Sequence, residues 1–176
     1  MGDFFLPLTL PVDIVLEDIV DDLEDEAISD RVSSSDTSEI FGSDGNDEIE
    51  GTSGDDDIIA GAGGDLVFGN DGEDFLFGSD PSVYDSGSGE YDTLTGGAGV
   101  DVFVIGDSYE AYYLDYGYAE IADFDYTEDY IRVHGVASDY SLTDFDDGTG
   151  IYYQEDLIAF VDDTNNVIIE RDFLFV

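Results

Sequence analysis

The sequence predicts an all-β solenoid, and two observations carry that expectation. A nine-residue frame runs without a slip from Gly42 to Val104, with glycine recurring at its first and fourth positions, aspartate at the sixth and an apolar residue at the eighth. The composition is acidic yet able to build a core: 46 Asp and Glu stand against 3 basic residues, while 42% of the chain is hydrophobic and 14% aromatic. A short fixed period is the mark of stacked units that bury an apolar face only against their neighbours.

The blocks begin GSDGNDEIE at Gly42, GTSGDDDII at Gly51, AGAGGDLVF at Ala60, GNDGEDFLF at Gly69, GSDPSVYDS at Gly78, GSGEYDTLT at Gly87 and GGAGVDVFV at Gly96. Six residues of each favour a turn and three a strand. Glycine permits positive φ and close backbone approach, so carbonyl oxygens can crowd inward as a cation site requires. The candidates are Gly42, Gly45, Gly51, Gly54, Gly63, Gly69, Gly72 and Gly99, with Gly61 and Gly97 beside them. Asp47, Asp56, Asp65, Asp74, Asp92 and Asp101 add one carboxylate per turn. Ile49, Ile58, Val67, Leu76, Leu94 and Phe103 supply the inward hydrophobe of a short strand.

These blocks resemble the RTX nonapeptide repeats of secreted bacterial calcium-binding proteins. The resemblance implies a right-handed parallel β-roll over residues 40–104, in which two successive blocks make one coil and calcium lies between turns eighteen residues apart. Turns starting at 42, 60, 78 and 96 then stack on one edge, and those at 51, 69 and 87 on the other. Asp47 would pair with Asp65, Asp56 with Asp74, and Asp74 with Asp92, holding about three to five Ca2+ ions. The block at Gly78 departs from the pattern: Pro81 replaces the fourth glycine, Val83 the turn aspartate, and Asp85 the hydrophobe. Pairings of that turn with Asp65 or Asp101 are compromised, and Glu90 in a glycine position distorts the turn ending in Asp92. No acidic loop closed by a twelfth-position Glu is present, which sets EF-hand binding aside.

Charge sharpens the expectation. The only basic residues are Arg31, Arg132 and Arg171, and the net charge is -43, so compact states repel themselves until cations bind or screen the carboxylates. Oxygen ligands on flexible turns suit calcium better than magnesium, while zinc or copper would want Cys or His, of which there are no Cys and one His. Calcium alone does not account for the acidity, which reads either as adaptation to high salt or as a solvated surface that keeps a protein soluble. Nucleic acid and anionic membrane surfaces are disfavoured as partners because phosphate binding needs clustered Lys and Arg. No stretch is long and apolar enough to span a bilayer.

Residues 1–39 read as an N-terminal arm, an amphipathic helix and a polar linker. Val15, Leu16, Ile19, Val20, Leu23 and Ala27 share one helical face, fit to cap the open end of a solenoid. The alternative is that residues 1–12 dock onto another copy. The opening run carries Asp3, Pro7 and Pro11 and no basic residue, unlike a secretory signal peptide. Within the repeats, Leu66, Phe68, Phe75 and Phe77 fall on outward positions and need covering, by the terminal regions or by a neighbouring molecule.

Residues 105–176 read as a C-terminal antiparallel β capping region, with alternation in EIADFDY and GIYYQEDLIAFV and a hairpin signal at Asp147-Gly148. IADFDYTEDYIRVHG resembles the capping segment of secreted RTX proteins, which implies that Asp123 and Asp129, and less directly Asp107, close the final calcium sites. The alternative is that they are ordinary turn acids. The ending Asp172-Phe173-Leu174-Phe175-Val176 resembles the uncleaved terminal signal of type I secretion substrates, although a final core strand would look the same.

No HExxH or GxSxG motif is present, and His134 has no nucleophile motif beside it, so an enzyme is not expected. The expected function is that of an extracellular or cell-surface calcium-binding protein, exported by type I secretion machinery, whose folding is driven by calcium afterwards. The alternative is a calcium-dependent structural or adhesive protein that assembles as a homo-oligomer, filament or surface layer.

Overall fold

The computed structural model describes residues 38–176. The arm, helix and most of the linker expected over 1–39 lie outside the described residues. Thirteen strands dominate: β1 (Ser38–Phe41), β2 (Glu48–Glu50), β3 (Asp56–Ile59), β4 (Leu66–Asp71), β5 (Phe75–Phe77), β6 (Tyr91–Ala98), β7 (Val102–Val104), β8 (Tyr118–Ile121), β9 (Tyr130–Val133), β10 (Tyr140–Phe145), β11 (Gly148–Tyr153), β12 (Asp156–Asp162) and β13 (Phe173–Phe175). A one-turn helix, α1 (Ile169–Asp172), and a 3-10 turn at Ala137–Asp139 are the helical pieces among the described residues. None of this helix is long and apolar enough to cross a membrane.

Successive strands alternate between two sheets. One has the order β1-β3-β5-β7-β9-β13, the other β10-β11-β12-β8-β6-β4-β2. The first sheet is parallel throughout. The second is parallel from β2 to β12 and antiparallel over β12, β11 and β10.

The eighth position of each repeat sets the core. Ile40, Ile58, Leu76, Phe103, Ile131 and Phe173 lie in register across one sheet. Ile49, Val67, Leu94, Ile121 and Val161 do the same across the other. The two ladders belong to one buried cluster. A strand of three residues has one inward side chain, so a single apolar residue per block suffices to specify which face is buried.

Two expectations need correcting. The block at Gly78 makes no coil of its own: β4 pairs with β6 and β5 with β7, so the chain skips nine residues and continues in register. Regular stacking would put Asp85 in the core and ask Pro81 for a backbone donor it lacks. Instead Val83 and Tyr84 are exposed, as is Asp85, which adopts φ 59°. Turns starting at 42, 60 and 78 therefore share one edge, while 51, 69 and 96 share the other, and Gly87 begins no separate coil.

The region 105–176 is also not simply an antiparallel cap. β8, β9 and β13 pair in parallel and lengthen both sheets, because Ile121, Ile131 and Phe173 continue the buried ladders after the glycine period ends. The hairpin signal does correspond to a β10–β11 hairpin, with Phe145 opposite Gly148. The terminal Phe173–Phe175 is a strand beside β9. Of the outward residues, Leu66, Phe68 and Phe77 are half-buried and Phe75 is exposed.

Phe103→Ala removes a fully buried ring from the middle of the ladder, whereas Phe41 is 63% exposed. In denaturant unfolding with calcium present, Phe103→Ala is expected to cost about 3–5 kcal/mol, and Phe41→Ser about 0.5 kcal/mol or less. Equal losses would contradict this core.

Candidate metal centre

The six-residue turns between strands stack along the two edges of the roll, and their aspartates form two ladders. On one edge stand Asp47, Asp65 and Asp92; on the other Asp56, Asp74, Asp101 and Asp129, all of them buried. Five of these carboxylates use Oδ1 to accept the backbone N–H of the aspartate in the preceding coil. Asp65 accepts from Asp47 at 2.8 Å, Asp74 from Asp56 at 2.8 Å, Asp92 from Asp65 at 2.8 Å, Asp101 from Asp74 at 3.0 Å and Asp129 from Asp101 at 3.0 Å. The first two links span 18 residues and the next two 27, which is the trace of the skipped block. Asp74 thus faces Asp101 and not Asp92, and Asp65 faces Asp92, opposite to the expected pairing.

The second oxygen of each carboxylate separates the turns. Asp47 Oδ2 accepts from the Ser43 backbone at 2.6 Å and its hydroxyl at 2.9 Å, and Asp56 Oδ2 from the Thr52 backbone at 2.5 Å. Asp129 Oδ2 accepts from the Asp125 backbone at 2.8 Å, and Asp92 Oδ2 from the Tyr113 hydroxyl at 2.7 Å. Oδ2 of Asp65, Asp74 and Asp101 is buried with no hydrogen-bond partner. An unpaired buried charge is costly, so these three oxygens are the natural places for a cation.

Backbone carbonyls crowd the glycines of these turns. A Cβ on Gly69 would lie 2.3 Å from Asp74 Oδ2 and 2.5 Å from the Gly96 carbonyl oxygen. Gly42 has the same relation to Asp47 and the Ala60 carbonyl, and Gly51 to Asp56 and the Gly69 carbonyl. Gly61 and Gly97 lie against the carbonyls of Ser43 and Asn70, and Gly63 against that of Gly45. Gly72 and Gly99, both at φ 140°, lie over the carbonyls of Gly54 and Gly72; a Cβ on Gly99 would be 1.6 Å from that oxygen. Any side chain there would fill the space and strain the backbone.

Among the described residues no three His, Cys, Asp or Glu side chains converge on a point that could hold a metal. The oxygens available here are single buried carboxylate oxygens and backbone carbonyls, hard donors of the kind calcium takes in flexible geometry. It does not fit zinc.

Burial pushes the Asp74 and Asp92 carboxyls up to about 7, and Asp65 and Asp101 up to about 6, with neighbouring carboxylates adding to the rise. The N–H that each accepts, and the Tyr113 hydroxyl at Asp92, pull the other way. Burial also raises Asp129.

Asp123, which is exposed, accepts from the Gly96 and Gly97 backbones at 2.8 and 2.9 Å, so it and Asp129 sit directly after the last repeat turn on that edge. Asp107 instead accepts from the backbones of Tyr109 and Glu110 within its own turn. His134 Nδ1 lies 2.8 Å from the Asp107 carbonyl oxygen. Two contacts go beyond the sequence reading, one at Glu90, expected only to distort its turn, and one at Tyr113, which the repeat does not point to. Glu90 accepts from the Gly63 backbone at 3.2 Å, and Tyr113 reaches Asp92 from a loop with no repeat.

Residues 41–76 and 86–107 match the RTX calcium-binding nonapeptide repeat, in 4 copies. The unmatched interval between them contains the block that leaves the sheets. Among solved structures, the chain is similar to the solution structure of the AlgE6R3 subunit from the Azotobacter vinelandii mannuronan C5-epimerase, with a TM-score of 0.49, 23% identity and coverage of 86% of each chain. No curated protein matches the chain.

The raised carboxyls give a pH test. Their folded values of about 6 to 7 exceed the ordinary 3.8, so as pH rises the unfolded chain ionises first. Their contribution to stability is full below the ordinary value and is lost as pH climbs through the folded values. In chelator, the denaturation midpoint is expected to fall between pH 5 and pH 8. In saturating calcium it is expected to rise over that range, because the ion binds the deprotonated form. Parallel profiles with and without calcium would contradict a cation at these carboxylates.

Proposed function

We propose that the chain is an extracellular calcium-binding module whose roll becomes stable when calcium is plentiful, and that its role is structural and not catalytic. The observation that carries this is the set of three buried, unpartnered carboxylate oxygens at Asp65, Asp74 and Asp101, each in a repeat turn. A divalent ion between each of these turns and the next coil would satisfy the oxygen and offset the repulsion of a chain of net charge -43. Asp74 with the Gly96 carbonyl and the cradle at Gly69 and Gly72 would hold one ion. Asp101 with the cradle at Gly97 and Gly99, closed by Asp123 and Asp129, would hold another. Asp65 and its turn would hold the third. Asp47 and Asp56, with Gly45 and Gly54, contribute carbonyls and brace their neighbours' turns.

Extracellular calcium modules with Kd of roughly 0.1–1 mM stay largely calcium-free where the free ion is scarce and load where it is abundant. Binding is then coupled to folding, and the compartment sets the state. Export by a type I route fits this logic. Phe173–Phe175 is a strand within the sheet of the folded roll, so a terminal signal there would be read before folding.

Circular dichroism of chelator-stripped protein during calcium titration tests the proposal. A cooperative gain of β-structure is expected with a midpoint in the range of roughly 0.1–1 mM, and Asp74→Asn is expected to move that midpoint about tenfold higher, equivalent to about 1.4 kcal/mol. An equal gain with magnesium or plain sodium chloride would defeat it.

A further inference from the structure

We propose that the Tyr113 hydroxyl takes the place of a cation at Asp92 and so terminates the calcium ladder on that edge of the roll. This rests on the calcium-binding role of the repeats and specifies where it stops.

Gly78 shows the substitution directly. A Cβ there would lie 2.3 Å from Tyr113 Oη and 2.7 Å from Asp92 Oδ2. Over Gly69 the corresponding neighbours are the Gly96 carbonyl oxygen at 2.5 Å and Asp74 Oδ2 at 2.3 Å. The phenol oxygen therefore occupies the position that the next coil's carbonyl holds in a regular interval. Two acceptors facing each other need a cation between them. A hydroxyl facing a carboxylate needs none, because it brings its own proton. Asp92 Oδ2 is accordingly partnered, at 2.7 Å, whereas its counterparts in Asp65, Asp74 and Asp101 are not.

The pocket is built around this contact. Tyr113 is fully buried and sits at φ 61°, a conformation a bulky residue adopts only when its surroundings impose it. Its N–H donates to the Ser86 carbonyl at 2.9 Å. Gly87, at φ 73°, leaves room for the ring: a Cβ there would be 2.8 Å from Tyr113 Cδ1. Ser86 Oγ in turn lies 2.8 Å from both Ser79 Oγ and the Asp80 carbonyl, tying the two ends of the ejected block together. The degenerate repeat thus buries its ends around the tyrosine while its middle faces solvent. The loop between β7 and β8 that delivers Tyr113 contains no G-x-x-G-x-D turn, so the frame supplies no further aspartate on this edge beyond Asp92.

The test is calcium stoichiometry by isothermal titration calorimetry, with thermal unfolding in chelator and in saturating calcium, on the full chain. Tyr113→Phe keeps the ring and removes the donor. It is expected to bind one more ion per chain than the wild type, and to lose more thermal stability in chelator than in calcium. Asp92→Asn is expected to bind as many ions as the wild type, and Asp74→Asn one fewer. An unchanged ion count in Tyr113→Phe, or a lost ion in Asp92→Asn, overturns the assignment. Where Tyr113→Phe fails to fold, the comparison of Asp92→Asn with Asp74→Asn decides. A wild type that binds no calcium overturns the role of the repeats, and this assignment with it, an outcome distinct from the other two.

Discussion

A buried carboxylate oxygen without a hydrogen-bond donor is the constraint on which the roll depends. Stacking the turns consumes one oxygen of each aspartate, because Oδ1 accepts the N–H of the coil before it. That bond fixes the vertical register, and it also pulls the carboxylate out of water. At Asp65, Asp74 and Asp101 the other oxygen is then left buried with no hydrogen-bond donor. Either a cation fills the interval, or a hydroxyl or amide is brought to it, or the carboxylate carries a proton. In the interior turns, at Asp65, Asp74 and Asp101, no donor from the chain reaches that oxygen. The margins at Asp47, Asp56, Asp92 and Asp129 use donors from the chain itself. Long-range repulsion among 46 acidic residues adds to the local problem, and it is the physical ground for the proposed coupling of folding to ion binding.

Much of this was legible in the sequence because the period carries it. Ile58, Leu76, Val67 and Leu94 announce the buried face, and Asp47, Asp65, Asp74 and Asp101 the turns, since each is repeated at the same place in the frame. Register across the defective block was not legible. Whether Gly78–Ser86 stacks or leaves the sheet depends on a competition between burying Asp85 and closing a longer loop, and the frame itself continues unbroken through it. The cost of a longer loop grows only slowly with length, while a buried unpaired charge is expensive, so the loop wins. The partners of Asp74 and Asp65 changed with it.

Tyr113 was invisible for a different reason. It has no periodic relation to Asp92, 21 residues earlier, and only the fold brings them together. The C-terminal strands were half legible. Ile121, Ile131 and Phe173 look like ordinary strand hydrophobes, and alternation alone does not tell a parallel continuation from an antiparallel cap. Their parallel pairing follows from the exposed edges that β6 and β7 present, which any following apolar strand can satisfy. The antiparallel turn of β10 and β11 outside β12 then completes the wider sheet, while β13 completes the other.

The ions themselves are the most direct test. Crystals grown with calcium, or with a lanthanide in its place, would show anomalous density wherever a cation sits. Density beside Oδ2 of Asp65, Asp74 and Asp101, and none beside Oδ2 of Asp92, is the expected result. Ordered, folded turns with no density at those three oxygens in saturating ion would contradict the proposal that the buried carboxylates exist to hold a cation.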